Sequence, residues 1–164
     1  MKKSVHIIAA VAKNGVIGAG GRLPWRLECD RQFFLRMTRG HVIVIGRYTF
    51  ERELHGRAIP GRVNIVLSSD PSFDPRGARN ARSLKQAIKS ANRLPGQVVW
   101  IAGGERPYQE ALPLAQRLYI TLLNKPVAGD TRFPSAWRKR FRAEVWRDQR
   151  RGAPHCTFHA FWPH

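Results

Sequence analysis

At 164 residues, with 29 Lys and Arg against 11 Asp and Glu, the chain is long enough for one domain with its own core and carries a net charge of +18. No apolar run approaches the about 18 residues that a membrane span needs, and the only cysteines, Cys29 and Cys156, lack metal-like spacing, which argues against a membrane protein, a zinc module or a disulfide scaffold. The charge leaves two classes open, a nucleic-acid binder and an enzyme for anionic substrates.

The N-terminus "MKKSVHIIAAVAKNG" opens like a secretory signal. Its apolar run is short, however, and Lys13, Asn14 and Gly15 interrupt it where a cleavage region belongs, so residues 5–12 read as a first buried strand. A cytoplasmic protein with reduced thiols is expected. After that strand, "NGVIGAGGRLPW" is rich in glycine and ends in apolar Leu23, Pro24 and Trp25. Such a segment suits either a lid over a flat apolar ring or a plain crossover loop.

A helix is predicted over 29–39, with Phe33, Phe34 and Met37 on one face. Asp30 stands at its start, between Trp25 and the two phenylalanines. It is either an N-cap or an acid directed inward, where desolvation raises its pKa and a cationic heterocycle favours its charge.

Further strands are predicted at 41–46, 62–68, 97–102, 117–123, 140–146 and 155–162. The runs "VIVIG", "VNIVLSS" and "VVWIAGG" are nearly continuous and β-branched, as in strands buried on both faces. Three of these strands end in groups suited to phosphate. "VIVIGRYTFE" ends in Gly46 and opens a short helix with Arg47, Tyr48 and Thr49; Arg47 can grip a phosphate in bidentate fashion and Thr49 can cap the helix. The next strand ends in Ser68 and Ser69. "WIAGGERPY" ends in Gly103 and Gly104 before a helix over 106–115, an anion cradle or simply a tight turn. It is not the spaced three-glycine dinucleotide fingerprint. Taken together, three strand ends of one open sheet favour a phosphate-rich cofactor. A helix over 83–92 has Ser83 as its cap. The last two strands, joined across Gly152 to Pro154, suggest an antiparallel pair, beside the densest positive charge at 137–152. The whole predicts an α/β fold, a three-layer sandwich around an eight-stranded, mainly parallel mixed sheet with an antiparallel C-terminal strand.

In order and spacing, "IIAAVAKNGVIGAGGRLPW", "RLECDRQFF", "VIVIGRYTFE", "IPGRVNIVLSS", "WIAGGERPY", "RLYIT" and "GDTRFP" resemble dihydrofolate reductases of bacterial type over about residues 7–134. The resemblance implies a single such domain over 1–164 and NADPH-dependent reduction of 7,8-dihydrofolate in one-carbon metabolism. It implies that Asp30 binds the pterin 2-amino group and N3 and promotes N5 protonation, with Thr121 bridging to it, Leu23 on the lid and Trp25 holding a water. Ile8, Phe34, Leu54 and Ala102 line the rings. Arg62 and Arg57 face the glutamate tail.

For the cofactor it implies backbone contacts from Ala10 and Ile17, with Gly18 and Gly21 alongside. Arg47, Tyr48 and Thr49 hold phosphates, and Ser68, Ser69 and Arg82 join Arg47 near the 2′-phosphate. Gly103 and Gly104 form a cis peptide, and Glu105, Arg106 and Tyr108 continue the diphosphate site. Asp130 bonds the closed lid. No metal is implied. Antifolate binding, a monomer, and only non-specific electrostatic contact with nucleic acid are expected.

Three positions depart from the family pattern. Glu28 replaces a proline, Arg31 replaces an apolar pocket residue, and Asp70 places an acid beside the 2′-phosphate pocket. The alternatives are a related pterin or pyrimidine reductase and a basic nucleic-acid-binding protein on the same fold.

Overall fold

A computed structural model describes residues 1–144 and 156–164. The first strand, β1 (Ser4–Ala12), is followed by short β2 (Val16–Gly18), then helix α1 (Glu28–Thr38) and β3 (Val42–Gly46). Next come α2 (Arg47–Arg52), β4 (Val63–Leu67), β5 (Arg79–Ala81), α3 (Leu84–Ala91) and β6 (Val98–Ile101). The chain continues with α4 (Glu105–Ala111), β7 (Arg117–Leu123), β8 (Thr131–Arg132), α5 (Trp137–Arg140), β9 (Phe141–Glu144) and β10 (Cys156–Pro163).

Eight strands form one sheet in the order β5-β4-β3-β6-β1-β7-β10-β9. Strands β5 through β7 run parallel. Strand β10 is antiparallel to both β7 and β9, as the loop between the last two predicted strands suggested. Residues 145–146 and 155 of those predicted strands, and much of the basic 137–152 stretch, lie outside the described residues.

Strand periodicity sorts the apolar side chains onto two faces. Val5, Ile7, Ala9 and Val11 join Val42, Val44, Val99 and Ile101 against Leu84, Ala87 and Ala91 of α3 and Tyr108 and Ala111 of α4. The intervening Ile8, Ile43 and Trp100 meet Phe33 of α1 together with Tyr119 and Phe158. Helices cover both faces, which explains why the strands read as unbroken apolar runs. Phe33 stacks on Phe158 with ring centroids 4.5 Å apart, tying α1 to β10.

Local signals set the helices. Ser83 caps α3, its Oγ accepting from Gln86 N at 3.2 Å. Helix α1 follows Leu27 with no side-chain cap, and Glu28 and Asp30 in its first turn complement the helix dipole. Asp30 is therefore not the cap. Thr49 does not cap α2 either, because the helix already begins at Arg47, with Gly46 as its cap residue.

The expectation of reduced thiols is also overturned, since Cys29 is disulfide-bonded. Sequence spacing reports nothing about distance across α1 and its neighbours. Strands β2, β5 and β8, of three, three and two residues, and the single turn α5 were not predicted.

Candidate active site

The carboxyl ends of β1, β3, β4 and β6 open into one cleft of about 1350 Å³. A site for one small ligand spans roughly 300–1,000 Å³, so this space suits two ligands side by side. Helix α1 walls one end and α2 with the start of α4 walls the other.

At the first end, Ile8, Phe34, Leu54 and Ala102 form an apolar wall around Asp30. Asp30 keeps part of its surface toward the cleft, yet burial pushes its carboxyl above the ordinary carboxylate range, and the nearby Thr121 hydroxyl opposes that only in part. Thr121, on β7, is 1 % exposed. Its hydroxyl lies beside the Asp30 carboxyl, while the indole Nε1 of Trp25 is buried without a hydrogen-bond partner among the described residues. Buried polar atoms are seldom left unpaired. Such an atom on the wall that holds an acid of raised pKa marks a place built for a polar, planar ligand or a held water. Tyr108 lies beneath, its hydroxyl donating to the Ile8 carbonyl at 2.9 Å. Burial and the adjacent Asp30 charge keep that phenol protonated.

The glycine-rich segment after β1 is anchored from both sides. Gly20 N donates to Asp130 Oδ2 at 2.9 Å, and Asp130 N donates to the Gly18 carbonyl at 3.1 Å. Leu23 N donates to Glu53 Oε2 at 2.8 Å. Gly21 needs its missing side chain: at φ 78° an added Cβ would stand 2.5 Å from the Tyr48 ring.

At the other end the Gly103–Gly104 peptide is cis, and Gly103 O accepts from Gly46 N at 2.8 Å. A Cβ on Gly104 would sit 2.9 Å from Thr49 Oγ1, and Gly103 holds φ 126°, where side-chain-bearing residues are strained, so each position needs glycine for its own reason. Arg47 donates from Nη1 to Asp70 at 3.0 Å and from Nε to Glu51 at 2.8 Å. Ser68, Ser69, Arg82 and Arg106 stand around the same rim.

The cleft thus gathers Ala10, Ile17, Gly18, Leu23, Arg31, Tyr48 and Glu105 with the residues above. It does not gather every expected residue. Arg57 is exposed and off the cleft wall. Arg62 is held by Thr38 Oγ1 at 2.7 Å and by the carbonyls of Pro60 and Leu35, which ties β4 to α1 and leaves the arginine outside the wall. Tyr108 stands between the two ends, its hydroxyl donating to the Ile8 carbonyl and lying 3.7 Å from where a Cβ on Gly103 would be. Glu53 was missed: no short-range signal links it to Leu23, a partner 30 residues away.

A family model described as dihydrofolate reductase matches residues 4–161. The chain is 41 % identical over 130 residues to dihydrofolate reductase type 3 of Salmonella typhimurium, covering 79 % of this chain and 78 % of that protein. It is 38 % identical over 157 residues to the dihydrofolate reductase of Neisseria meningitidis, covering 96 % and 94 %. A solved structure of dihydrofolate reductase from Enterococcus faecalis, complexed with NADP(H) and RAB-propyl, aligns with a TM-score of 0.90 at 28 % identity, covering 100 % of this chain and 98 % of that one.

Proposed function

This chain belongs to the dihydrofolate reductase family, and from that premise we propose that Asp30 drives its reduction of 7,8-dihydrofolate to 5,6,7,8-tetrahydrofolate. The enzyme is an NADPH-dependent oxidoreductase. The observation that carries the reading is the Asp30 carboxyl, set in an apolar wall with its pKa raised by burial, with the Thr121 hydroxyl beside it and the unpartnered Trp25 Nε1 on the same wall.

The cofactor fits the residues present. Gly103 and Gly104 leave bare backbone beside Thr49, where a Cβ on Gly104 would come within 2.9 Å of Oγ1, and Arg47, Ser68, Ser69 and Arg82 can face anionic groups along the same rim. Ala10, Ile17 and Gly18 line the space between that rim and the acid. When bound, NADPH supplies a hydride from nicotinamide C4 to pterin C6.

The chain's own residues do the rest. Asp30 accepts paired hydrogen bonds from the pterin 2-amino group and N3. Its negative charge, poorly solvated, is stabilised by that contact and in turn makes N5 easier to protonate. Trp25 Nε1 holds a water that carries the proton, and Thr121 orients the carboxylate. Leu23 and the lid glycines cover the rings and exclude bulk water. Arg31, mostly exposed and 3.3 Å from Glu28, reaches the glutamate tail at the cleft mouth; Arg62, whose Nη1 and Nη2 each keep a further N–H beyond their bonds to Pro60 and Leu35, pairs with the tail's α-carboxylate, and Arg57 adds to the field.

The test is loss of absorbance at 340 nm with NADPH and dihydrofolate. Asp30→Asn lowers turnover by at least about 100-fold near neutral pH, the scale of a general acid–base contribution. The loss is partly relieved in acid, where solvent protonates the ring unaided. Turnover by Asp30→Asn within tenfold of wild type would reject the role.

Among the described residues, no helix is long and apolar enough to cross a membrane. A single functional domain acting as a monomer in the cytoplasm is the simplest setting for this chemistry. Antifolates with a protonated diaminopyrimidine are expected to compete at Asp30. The +18 charge attracts both anionic substrates and gives non-specific, salt-sensitive contact with nucleic acid.

A further inference from the structure

We propose that Asp70 is a specificity-determining residue that narrows this enzyme's preference for the 2′-phosphorylated dinucleotide over the unphosphorylated one. The inference rests on the reading that a dinucleotide lies across the strand ends.

Its evidence is the state of Arg47. This guanidinium stands at the end of β3 beside Ser68 and Ser69 at the end of β4, toward the outer edge of the sheet. It is the cation best placed to meet a phosphate there, yet it is already engaged on three sides. Asp70 Oδ2 accepts from Nη1 at 3.0 Å, Glu51 Oε1 accepts from Nε at 2.8 Å, and the Phe73 ring covers one face with its centroid 4.3 Å from Cζ.

Asp70 is not a loose surface acid that a ligand could push aside freely. Its Oδ1 accepts from Ser72 N at 2.9 Å and from Ser72 Oγ at 2.6 Å, and its own N–H donates to Ser68 Oγ at 3.2 Å. The turn therefore fixes the carboxylate on the cleft rim.

Two carboxylates on one guanidinium leave Arg47 with no uncompensated positive charge before any ligand arrives. A phosphate dianion must share Arg47 with Asp70 and sit near a like charge. A ribose 2′-hydroxyl suffers no such repulsion and can donate to Asp70, the same chemistry by which an acid selects an unphosphorylated ribose in other nucleotide sites. Arg82 offsets part of the repulsion from the far side of the rim, so the phosphorylated cofactor still binds, with its advantage reduced.

The measurement is kcat/KM for NADPH and for NADH at saturating dihydrofolate, together with tryptophan-fluorescence titration by the fragments 2′,5′-ADP and 5′-ADP. Asp70→Asn, which keeps an acceptor for Ser72, raises the NADPH-to-NADH ratio about tenfold and tightens 2′,5′-ADP by a similar factor, with little change for 5′-ADP. Asp70→Ser does the same. Both pairs are partly exposed, so the gain shrinks in 0.5 M salt. An unchanged ratio, or weaker 2′,5′-ADP binding in both variants, would overturn the proposal and make Asp70 a residue that positions Arg47 for the phosphate. Arg47→Ala checks the underlying reading by itself: if it leaves both fragments' affinities untouched, no nucleotide lies at this rim, and the role of Asp70 falls with it.

Discussion

The two ends of the cleft carry carboxylates in opposite circumstances. Asp30 sits among Ile8, Phe34 and Ala102, and burial raises its pKa. Asp70 sits in the open, where hydrogen bonds from Ser72 and Arg47 hold its carboxyl below the usual range. The same functional group is a poorly solvated charge at one end and a well-paired one at the other. A charge with poor solvation gains most from a complementary ligand, so the deep end performs chemistry. A charge already paired in water can only adjust affinity, so the rim tunes selection.

The sharpest way to break this contrast is at Asp30, where neutralisation costs about 100-fold in turnover or more. The same variant is expected to gain thermal stability. A raised carboxyl pKa means that ionisation opposes folding, so the gain of Asp30→Asn over wild type is full at pH 7 and fades as pH falls below the folded-state pKa toward the ordinary 3.8. Paired denaturant titrations at both pH values check this; an equal gain at each would put the acid in a solvated place.

Burial acts on His6 in the same sense, away from the cleft. The ring is 7 % exposed, packed on Trp100 and Tyr119, with Nδ1 unpartnered. Desolvation, with the positive Arg117 and His41, lowers its pKa from 6.5 to about 4. The unfolded chain takes up the proton first, so stability is complete above pH 6.5 and declines as pH falls toward 4. After solvent screening the loss is about 2 kcal/mol. His6→Leu flattens that part of the stability profile.

Smaller effects belong to exposed groups. Asp130 holds the Gly20 amide at 2.9 Å, and Asp130→Asn loosens the lid, lowering kcat/KM by about threefold. Arg31→Leu alters antifolate affinity more than turnover, and equal shifts in the inhibition constant and kcat would reject a place for Arg31 at the cleft mouth. Least of all, Glu51→Gln removes one exposed partner of Arg47 and moves the thermal midpoint by about 1 °C or less.

Much of this protein follows from local pattern. Strands β3, β4 and β6 are unbroken β-branched runs because both sheet faces are covered, and that double burial is written into composition alone. Ser83 announces α3, and the order of seven short segments carries the family. Asp30 stands out as an acid among aromatic residues at helical spacing. Other features exist only once distant pieces meet. A two-residue strand such as β8 has no periodicity, and its pairing with β2 supplies the definition. The place of Arg62 depends on Thr38 and on the Leu35 carbonyl of α1, more than 20 residues away, as well as on Pro60 beside it in "PGR". The disulfide at Cys29 and the capture of Arg47 by Asp70 across 23 residues are of the same kind. Sequence pattern reports which face a residue prefers. Only folding decides which charge it meets there, because electrostatic pairing falls off over a few ångströms of space and takes no account of separation along the chain.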